Sequence, residues 1–514
     1  MAPSKARRLL LLLLARLFFA AAAEPPVAPT AQVCVVGAGI SGASLTYFLK
    51  QYSCSSVNAP CLNDIHLLER RNTAGGRTAT VTISGDTFEA GASIIHPKNF
   101  HAVRFASLLG LHSTSESSEF ESDRNASVSS SSSSSWFGIW DGSRFLFKTL
   151  PPPPPSSSAV YRRIHSFINA LLVFRRYGLS LFRMNRFVNN MIENFLLYYK
   201  DFESRPVFET VEEMLKWSGL YGKTRRTLKE ELLDAGVSPL LISELVTVIT
   251  RINYGQDISI SGLAGAVSLA GSDDGLWSVD GGNWQLAAGL INYSNASLHL
   301  NEEIISVTYD EVNNYVLGTA NGTVYNCGIT VIATPLDELN ILFSPPVSIP
   351  SRRLQHTFTT FVRGLLNPKY FSLSHASEIP NLVGTVEVPE VPFSSISVLK
   401  KYGAEDMSYK IFSRAPMHDS LLDEIFSTRK ETVRIDWAAY PHFEAPETFS
   451  PIILDGKHLY YINSFENAAS TIETGAVAAE NVARLIVSRL SGEQRNSPAK
   501  KIRSKDRDLP HHEL

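Results

Sequence analysis

The stretch Val33–Gly42 reads VCVVGAGISG, an apolar run that breaks into Gly37-Ala38-Gly39-Ile40-Ser41-Gly42. Few folds accept that spacing. In G-x-G-x-x-G the first glycine permits a tight turn, the second lets backbone approach a pyrophosphate, and the third lets helix and strand pack closely. The helix that follows presents its free amides and positive dipole end to the phosphates. Ala43–Lys50 reads as that helix, and Asp64–Leu68 (DIHLL) as the next strand, ending at Glu69. A carboxylate there can accept from both ribose hydroxyls. Glu69 lies 27 residues past Gly42, beyond the usual spacing of about 20, and a loop spanning Cys54–Cys61 accounts for the excess.

Directly after Glu69 comes Arg70-Arg71-Asn72-Thr73-Ala74-Gly75-Gly76-Arg77. An acidic residue, basic residues and then Gly-Gly-Arg resemble the second fingerprint of the flavin amine oxidases. There the glycines let backbone approach the dinucleotide and the arginine meets phosphate. Other segments follow in that family's order. Phe88–Ser93 (FEAGAS) resembles the stretch beside the flavin ring, and Val279–Asn283 the Gly-Gly turn returning to the nucleotide domain. Leu298–Val307 resembles the strand whose backbone near Ile304 holds adenine, and Val331–Pro335 the strand closing that section. The helix at Ser470–Leu490 resembles the one whose N-terminus faces the flavin, where amides stabilise negative charge on the reduced ring.

At finer grain GASIIHPKNFH (Gly91–His101), VDGGNWQL (Val279–Leu286) and LYYINSFENAASTIETGAVAAENVA (Leu459–Ala483) resemble the prenylcysteine oxidase family, called farnesylcysteine lyase in plants. The resemblance covers roughly Val33–Leu490. It implies an α/β chain: a discontinuous Rossmann-type FAD-binding domain (31–105, 255–335, 446–492) with an amine oxidase-like, mixed α+β substrate domain inserted as 106–254 and 336–445. It implies FAD held by Gly37, Gly39, Gly42, Glu69, Gly75, Gly76, Arg77, Gly91, Ser93, Ile304, Glu466, Thr471 and Ile472. The wider family's Ala-Gly-Glu/Asp near the last flavin segment is replaced here by Ile462-Asn463-Ser464-Phe465-Glu466, a departure that bears on Asn463 and Glu466. No cysteine lies near Leu459–Glu473, so non-covalent FAD is expected. The implied reaction removes hydride from the carbon joining a prenyl chain to sulfur, adds water, and releases cysteine and a prenyl aldehyde while oxygen becomes hydrogen peroxide. His96 is the polar residue nearest the presumed flavin-facing loop. It stands as the catalytic candidate, against a structural hydrogen-bonding role. The rivals are an FAD amine or polyamine oxidase, and an escort-type prenyl-binding protein without catalysis.

The N-terminus has a secretory leader's form: Lys5, Arg7 and Arg8, an apolar core broken by Arg16, and Ala21-Ala22-Ala23 as a small-residue cleavage site. No later segment reaches spanning length. N-x-S/T occurs at Asn125, Asn292, Asn295 and Asn321, which behind a leader become glycan candidates. A Cys54–Cys61 disulfide is expected in an oxidising lumen, whereas Cys34, in an apolar run, and Cys327, in a strand-like stretch, read as buried free thiols. The ending His511-His512-Glu513-Leu514 is one residue from a retrieval signal. A lysosome or vacuole is the expected compartment, with the endoplasmic reticulum left open by that tail. The 50 acidic and 47 basic residues give no electrostatic case for nucleic acid. No zinc-ligand spacing occurs, and no obligate protein partner is evident.

Ser113–Ser135 and Pro151–Ser158 cannot pack a core, and between them WFGIWDGSRFLFK (Trp136–Lys148) predicts a hairpin turning at Asp141-Gly142. Tyr161–Phe202 is helical in pattern, with apolar residues at Ile164, Phe167, Ile168 and Leu171 and six interleaved arginines. The plainer expectation is buried amphipathic helices with solvated arginines; a basic amphipathic face touching membrane stays open beside it. The helices Ile164–Phe202 and part of Leu336–Tyr440 are the expected wall of an apolar prenyl pocket. Strands are expected at Leu298–Tyr309, Tyr315–Leu317, Thr323–Ala333, Thr357–Val362, Thr432–Ala438 and Leu459–Asn463. The final helix is expected to open on a Ser470–Glu473 capping box.

Overall fold

The computed structural model describes residues 31–492 apart from 57, 115–135, 155, 201–204 and 311. The leader, Asn125, the serine run, Phe202 and the HHEL tail therefore lie outside the described residues.

β1 (Ala31–Val36) is apolar from Val33 onward because it is central: Val33, Cys34 and Val35 have no exposed surface. It turns through the glycine motif into α1 (Ile40–Ser53), and β2 (Ile65–Glu69) returns parallel beside it. β3 (Thr80–Ile83) and β4 (Asp86–Glu89) form a small antiparallel ribbon that leads to α2 (Phe100–Leu109). β5 (Phe137–Trp140) and β6 (Phe145–Lys148) make the expected hairpin. A helical stretch follows, in which α3 (Ala159–Tyr177), α4 (Ser180–Phe195), α5 (Thr247–Tyr254), α6 (Gly262–Ala270) and α7 (Trp284–Ser294) are the longer pieces.

The chain then re-enters the first sheet through β7 (Ser297–Leu300), β8 (Ile304–Tyr309), β9 (Tyr315–Thr319), β10 (Val324–Ile332) and β11 (Leu342–Ser344). A second sheet is built from β12 (Leu354–Leu366), β13 (Leu382–Thr385), β14 (Ser395–Gly403), β15 (Asp406–Ser413) and β16 (Phe426–Pro441). β17 (Leu459–Tyr461) and α8 (Ile472–Ser491) close the described chain.

The first sheet runs β11-β8-β9-β10-β1-β2-β7, with β17 also on β10; the second runs β16-β12-β15-β14-β13-β5-β6. Strands from three distant parts of the sequence thus share one sheet, and the hairpin before α3 joins strands more than two hundred residues later. The first sheet takes in β11, which falls within 336–445, the stretch expected as substrate domain. The expected strand Leu298–Tyr309 is two strands, broken where Asn301 takes φ 60° and its amide donates to Arg71 O.

Two features of the core differ from the sequence reading. Cys34 and Cys327 are not free thiols but a disulfide, since β1 and β10 are adjacent parallel strands and bring the two Cα atoms to 5.8 Å. Cys54 and Cys61 form the expected short-loop disulfide. The helices Tyr161–Phe202 also divide in character. α4 buries Met184, Phe187, Val188, Met191 and Ile192 in the main core. α3, by contrast, leaves its apolar stripe exposed, so it is neither a buried helix nor the wall of an enclosed pocket.

Candidate active site

The glycine motif does what its spacing requires. Gly37 sits at φ 109°, and a Cβ there would lie 2.8 Å from Ala333 O. A Cβ at Gly42 would fall 2.1 Å from Gly37 O, so α1 can approach β1 only with glycine there. Gly39 bridges to Gly75, and Gly75 N donates to Ala38 O at 2.9 Å, which docks the Gly75-Gly76-Arg77 turn onto the first loop. Glu69 is buried at the end of β2. Its Oε2 accepts from Ala38 N at 2.9 Å and its Oε1 from Arg71 N at 3.0 Å, and each oxygen keeps a second lone pair. Glu302 N donates to Glu69 O at 2.9 Å, so β8 begins at Ile304, two residues from this corner.

A cleft opens between the N-terminal turns of α1 and α8. Ile40 and Ser41 line one side, Thr471, Thr474, Gly475 and Ala478 the other, and Arg77, Ile462, Asn463, Phe465 and Glu466 the remainder. The two helices touch because residue 475 is glycine: a Cβ there would stand 2.7 Å from Ser41 Oγ. Thr471 caps α8, accepting from Thr474 N at 3.0 Å, while Thr474 Oγ1 accepts from Thr471 N at 2.8 Å. The capping box is therefore one residue later than Ser470–Glu473. Glu473 is committed elsewhere, accepting from His101 N at 2.7 Å and Ala102 N at 3.0 Å and so satisfying the first turn of α2. Ile472 begins the helix, and its buried side chain belongs to the core.

Charge in the cleft is ordered by arginines. Arg77 donates to Ala439 O at 2.7 Å and pairs with Glu466. Arg352, which no motif announces, is buried against Asp337 (2.6 Å), Glu466 (3.4 Å), Asn467 and the Tyr461 hydroxyl. Burial disfavours its charge, but Tyr461, Asp337 and Glu466 outweigh that and hold the guanidinium firmly protonated. Nearby, burial and Glu444 raise Glu447 to about 8 against the opposing Glu444 amide, Asn467 and Arg352, so it is mainly protonated at neutral pH.

The segment Phe88–Ser93 is pinned by Asn283, a residue fully buried in the Gly-Gly turn. Asn283 N donates to Glu89 Oε1 at 2.6 Å, its Nδ2 to Ala92 O at 2.9 Å, and its Oδ1 accepts from Val279 N at 2.9 Å. A Cβ at Gly91 would lie 1.9 Å from Arg77 O, so this segment presses on the arginine turn, and Ser93 follows it, half-buried. Lys410, on β15, donates to Glu89 O at 2.9 Å. Burial lowers Lys410 to about 8, with Glu89 pulling the other way. Burial raises Glu89 to about 7 against the Asn283 amide and Lys410.

His96 is not among the residues lining the cleft. Its Nδ1 accepts from Lys98 N at 3.0 Å and its Nε2 faces Asp273 Oδ2 at 3.3 Å, so both ring nitrogens are engaged. Asn292 and Asn295 are exposed at the end of α7, and Asn321 is exposed at the β9–β10 turn. No group of His, Cys, Asp and Glu able to hold a metal occurs among the described residues.

These residues fit a dinucleotide. The glycines clear the approach, Glu69 has acceptor capacity at the ribose end, and the Oδ1 of Asn463, buried in the cleft wall, has no hydrogen-bond partner. Comparison with known proteins agrees. Residues 161–499 match the Prenylcysteine lyase family and residues 35–108 the NAD(P)-binding Rossmann-like domain. Farnesylcysteine lyase of Arabidopsis thaliana is 57% identical over 89% of this chain and 88% of its own. Prenylcysteine oxidase 1 of Homo sapiens is 33% identical over 90% of each. Among solved structures, putrescine oxidase bound to putrescine shares the fold, with a TM-score of 0.55 at 13% identity over 90% of this chain and all of its own.

Proposed function

The chain belongs to the prenylcysteine lyase family, and on that premise we propose that it cleaves S-farnesylcysteine and related prenylcysteines. It is an FAD-dependent oxidoreductase of the flavin oxidase fold. The observation that carries the substrate is the 57% identity to the Arabidopsis enzyme along nearly the whole chain, with the nucleotide cradle intact. Bound FAD would supply the two-electron oxidant for the carbon between the prenyl chain and sulfur, a position both neighbours activate. Overall, prenylcysteine, water and oxygen would give cysteine, prenyl aldehyde and hydrogen peroxide: water adds to the oxidised carbon, the hemithioacetal releases cysteine, and oxygen accepts the two electrons and two protons. The prenylated cysteines left by protein breakdown are the natural source of substrate.

The chain's own residues bind and orient. Thr471 and Thr474 fix the first turn of α8 so that its free amides point into the cleft. Arg77, held between Ala439 O and Glu466, reaches the seam between the two sheets. Tyr254, Tyr440 and Phe443 stack edge to face beside Ser470, with Tyr254–Tyr440 centroids 4.8 Å apart and the Tyr254 hydroxyl donating to Ser470 O at 3.1 Å. We assign this aromatic group to the wall for the prenyl chain, because it is aromatic, mostly buried with Tyr440 partly exposed, and next to the head of α8.

Binding is read as non-covalent because all four cysteines are paired; flavin staying on the denatured chain would refute it. The two disulfides and the exposed triplets at Asn292, Asn295 and Asn321 support a lumenal, glycosylated protein. The leader and tail point to the secretory pathway, with lysosome or vacuole as destination. The experiment is peroxide release by the purified yellow protein with farnesylcysteine, geranylgeranylcysteine and putrescine. Turnover of putrescine without farnesylcysteine selects an amine oxidase, and a colourless protein that binds prenylcysteine selects an escort.

A further inference from the structure

The exposed stripe of α3 has a definite geometry. Val160, Ile164, Phe167, Leu171 and Phe174 follow one another at offsets of four, three, four and three, which aligns them on one helical face. Such a face ordinarily meets the core. Here only His165 and Tyr177 of α3 are buried, and the stripe points outward. Phe167 keeps 68% of its surface and Leu171 52%; on α4, Phe182 keeps 63%. The Phe174 and Phe182 rings are 6.3 Å apart, so the patch continues across the turn between the helices. These side chains together expose roughly 700 Å², against about 300–600 Å² for the largest patch on an ordinary monomer.

The charge around the patch selects its partner. Residues 159–195 contain six arginines and one acid, Glu193. Arg176 is neutralised by Glu244 through a bidentate pair at 2.7 and 2.6 Å. Arg162, Arg163, Arg175 and Arg186 are exposed and have no acidic partner among the described residues. On the helix, Arg163 and Arg175 flank the stripe on its two sides. A second copy meeting this face by two-fold symmetry would oppose arginine with arginine. An anionic lipid surface instead takes the rings between headgroups and the guanidiniums onto phosphates. No helix among the described residues is long and apolar enough to cross a membrane, so the contact is peripheral.

We propose that α3 and the first turn of α4 form a docking face for anionic phospholipid bilayers, with Phe167, Leu171 and Phe182 as inserted anchors and Arg163 and Arg175 as phosphate partners. The proposal does not depend on the substrate, because it is read without turnover. The holoenzyme is floated with vesicles of phosphatidylcholine, with and without phosphatidylserine. Binding is expected to the phosphatidylserine vesicles and to weaken with salt. F167D/F182D should lower the partition coefficient at least about ten-fold. R163Q/R175Q should lower it about 25-fold at low salt, at about five-fold per arginine. All four side chains are exposed, so melting temperature and flavin content serve as the folding check. Failure to float, or floating that survives both double substitutions, overturns the proposal. So does floating lost when the chain starts at Glu24, since residues 1–23 would then be the anchor. A stable dimer dissolved by F167D/F182D would likewise overturn it, with a second copy as the true occupant.

Discussion

Gly42 offers the sharpest test of the nucleotide cradle. In G42A the new methyl would sit 2.1 Å from Gly37 O and 3.3 Å from Val35 Cγ1. The first is a contact with backbone, which has no rotamer to change. Relief requires α1 to retreat from β1 by about 1 Å, given normal carbon–oxygen contact. That movement is resisted because α1 is buried along most of its length, with Gly475 of α8 closed against Ser41. Overpacking typically costs about 1–3 kcal/mol, and a backbone contact belongs at the upper end. The displaced amides are those offered to the phosphates, so the cost falls on flavin binding. About 3 kcal/mol corresponds to flavin affinity weakened on the order of 100-fold. Gly403 is the control: a methyl added there would meet nothing within 4 Å, and its φ is not left-handed, so G403A should change stability by less than about 0.5 kcal/mol. Flavin per chain after gel filtration, then titration of the stripped protein with FAD, reads the difference. If G42A retains flavin as G403A does, the close approach of α1 is not what holds the cofactor.

Three further outcomes are expected. Glu447, raised by burial to about 8, contributes stability that is full below its ordinary value of about 4.5 and is lost as pH rises through 8. E447Q should therefore gain on the parent from pH 5 to pH 9, by about 2–5 kcal/mol at the top, and melting curves that stay parallel across that range would refute it. Alkylation and intact mass should find no free thiol before reduction, and C34S/C327S should lose about 2–5 kcal/mol of stability; a thiol at Cys34 in the native protein contradicts the β1–β10 disulfide. E473Q keeps one acceptor but leaves an α2 amide poorly served, at about 1–3 kcal/mol, which hydrogen exchange at His101 and Ala102 would detect as faster opening.

What could be read from the sequence was what neighbouring residues decide among themselves. The Gly37–Gly42 loop, the Asp141-Gly142 hairpin and the run of β1 follow from local sterics, and the structure keeps them. The cysteine assignment failed for a different reason. Cys34 and Cys327 are 293 residues apart, and only the order of strands in the sheet makes them neighbours. The α8 cap slipped by one residue because Ser470 and Thr471 are both able caps, and the choice was made by α2, whose amides claim Glu473. Arg352 and Lys410 carried no local signal at all: each is a lone polar residue whose partners lie on other elements.

The same distinction explains why periodicity misjudged α3. A 3.6-residue stripe establishes that a helix has an apolar face, and says nothing about what that face meets. For α4 the answer is the core, through Met184, Phe187 and Met191; for α3, with equal regularity, it is the outside. Charge breaks the tie that hydrophobicity leaves. A solvent-facing helix in a soluble protein ordinarily balances its charges, and α3 contains four arginines and no acid. An apolar stripe without acids beside it is costly in water and favourable at an anionic interface. The nucleotide half of this chain is thus specified by contacts within the molecule, and α3 by a surface the molecule itself does not provide.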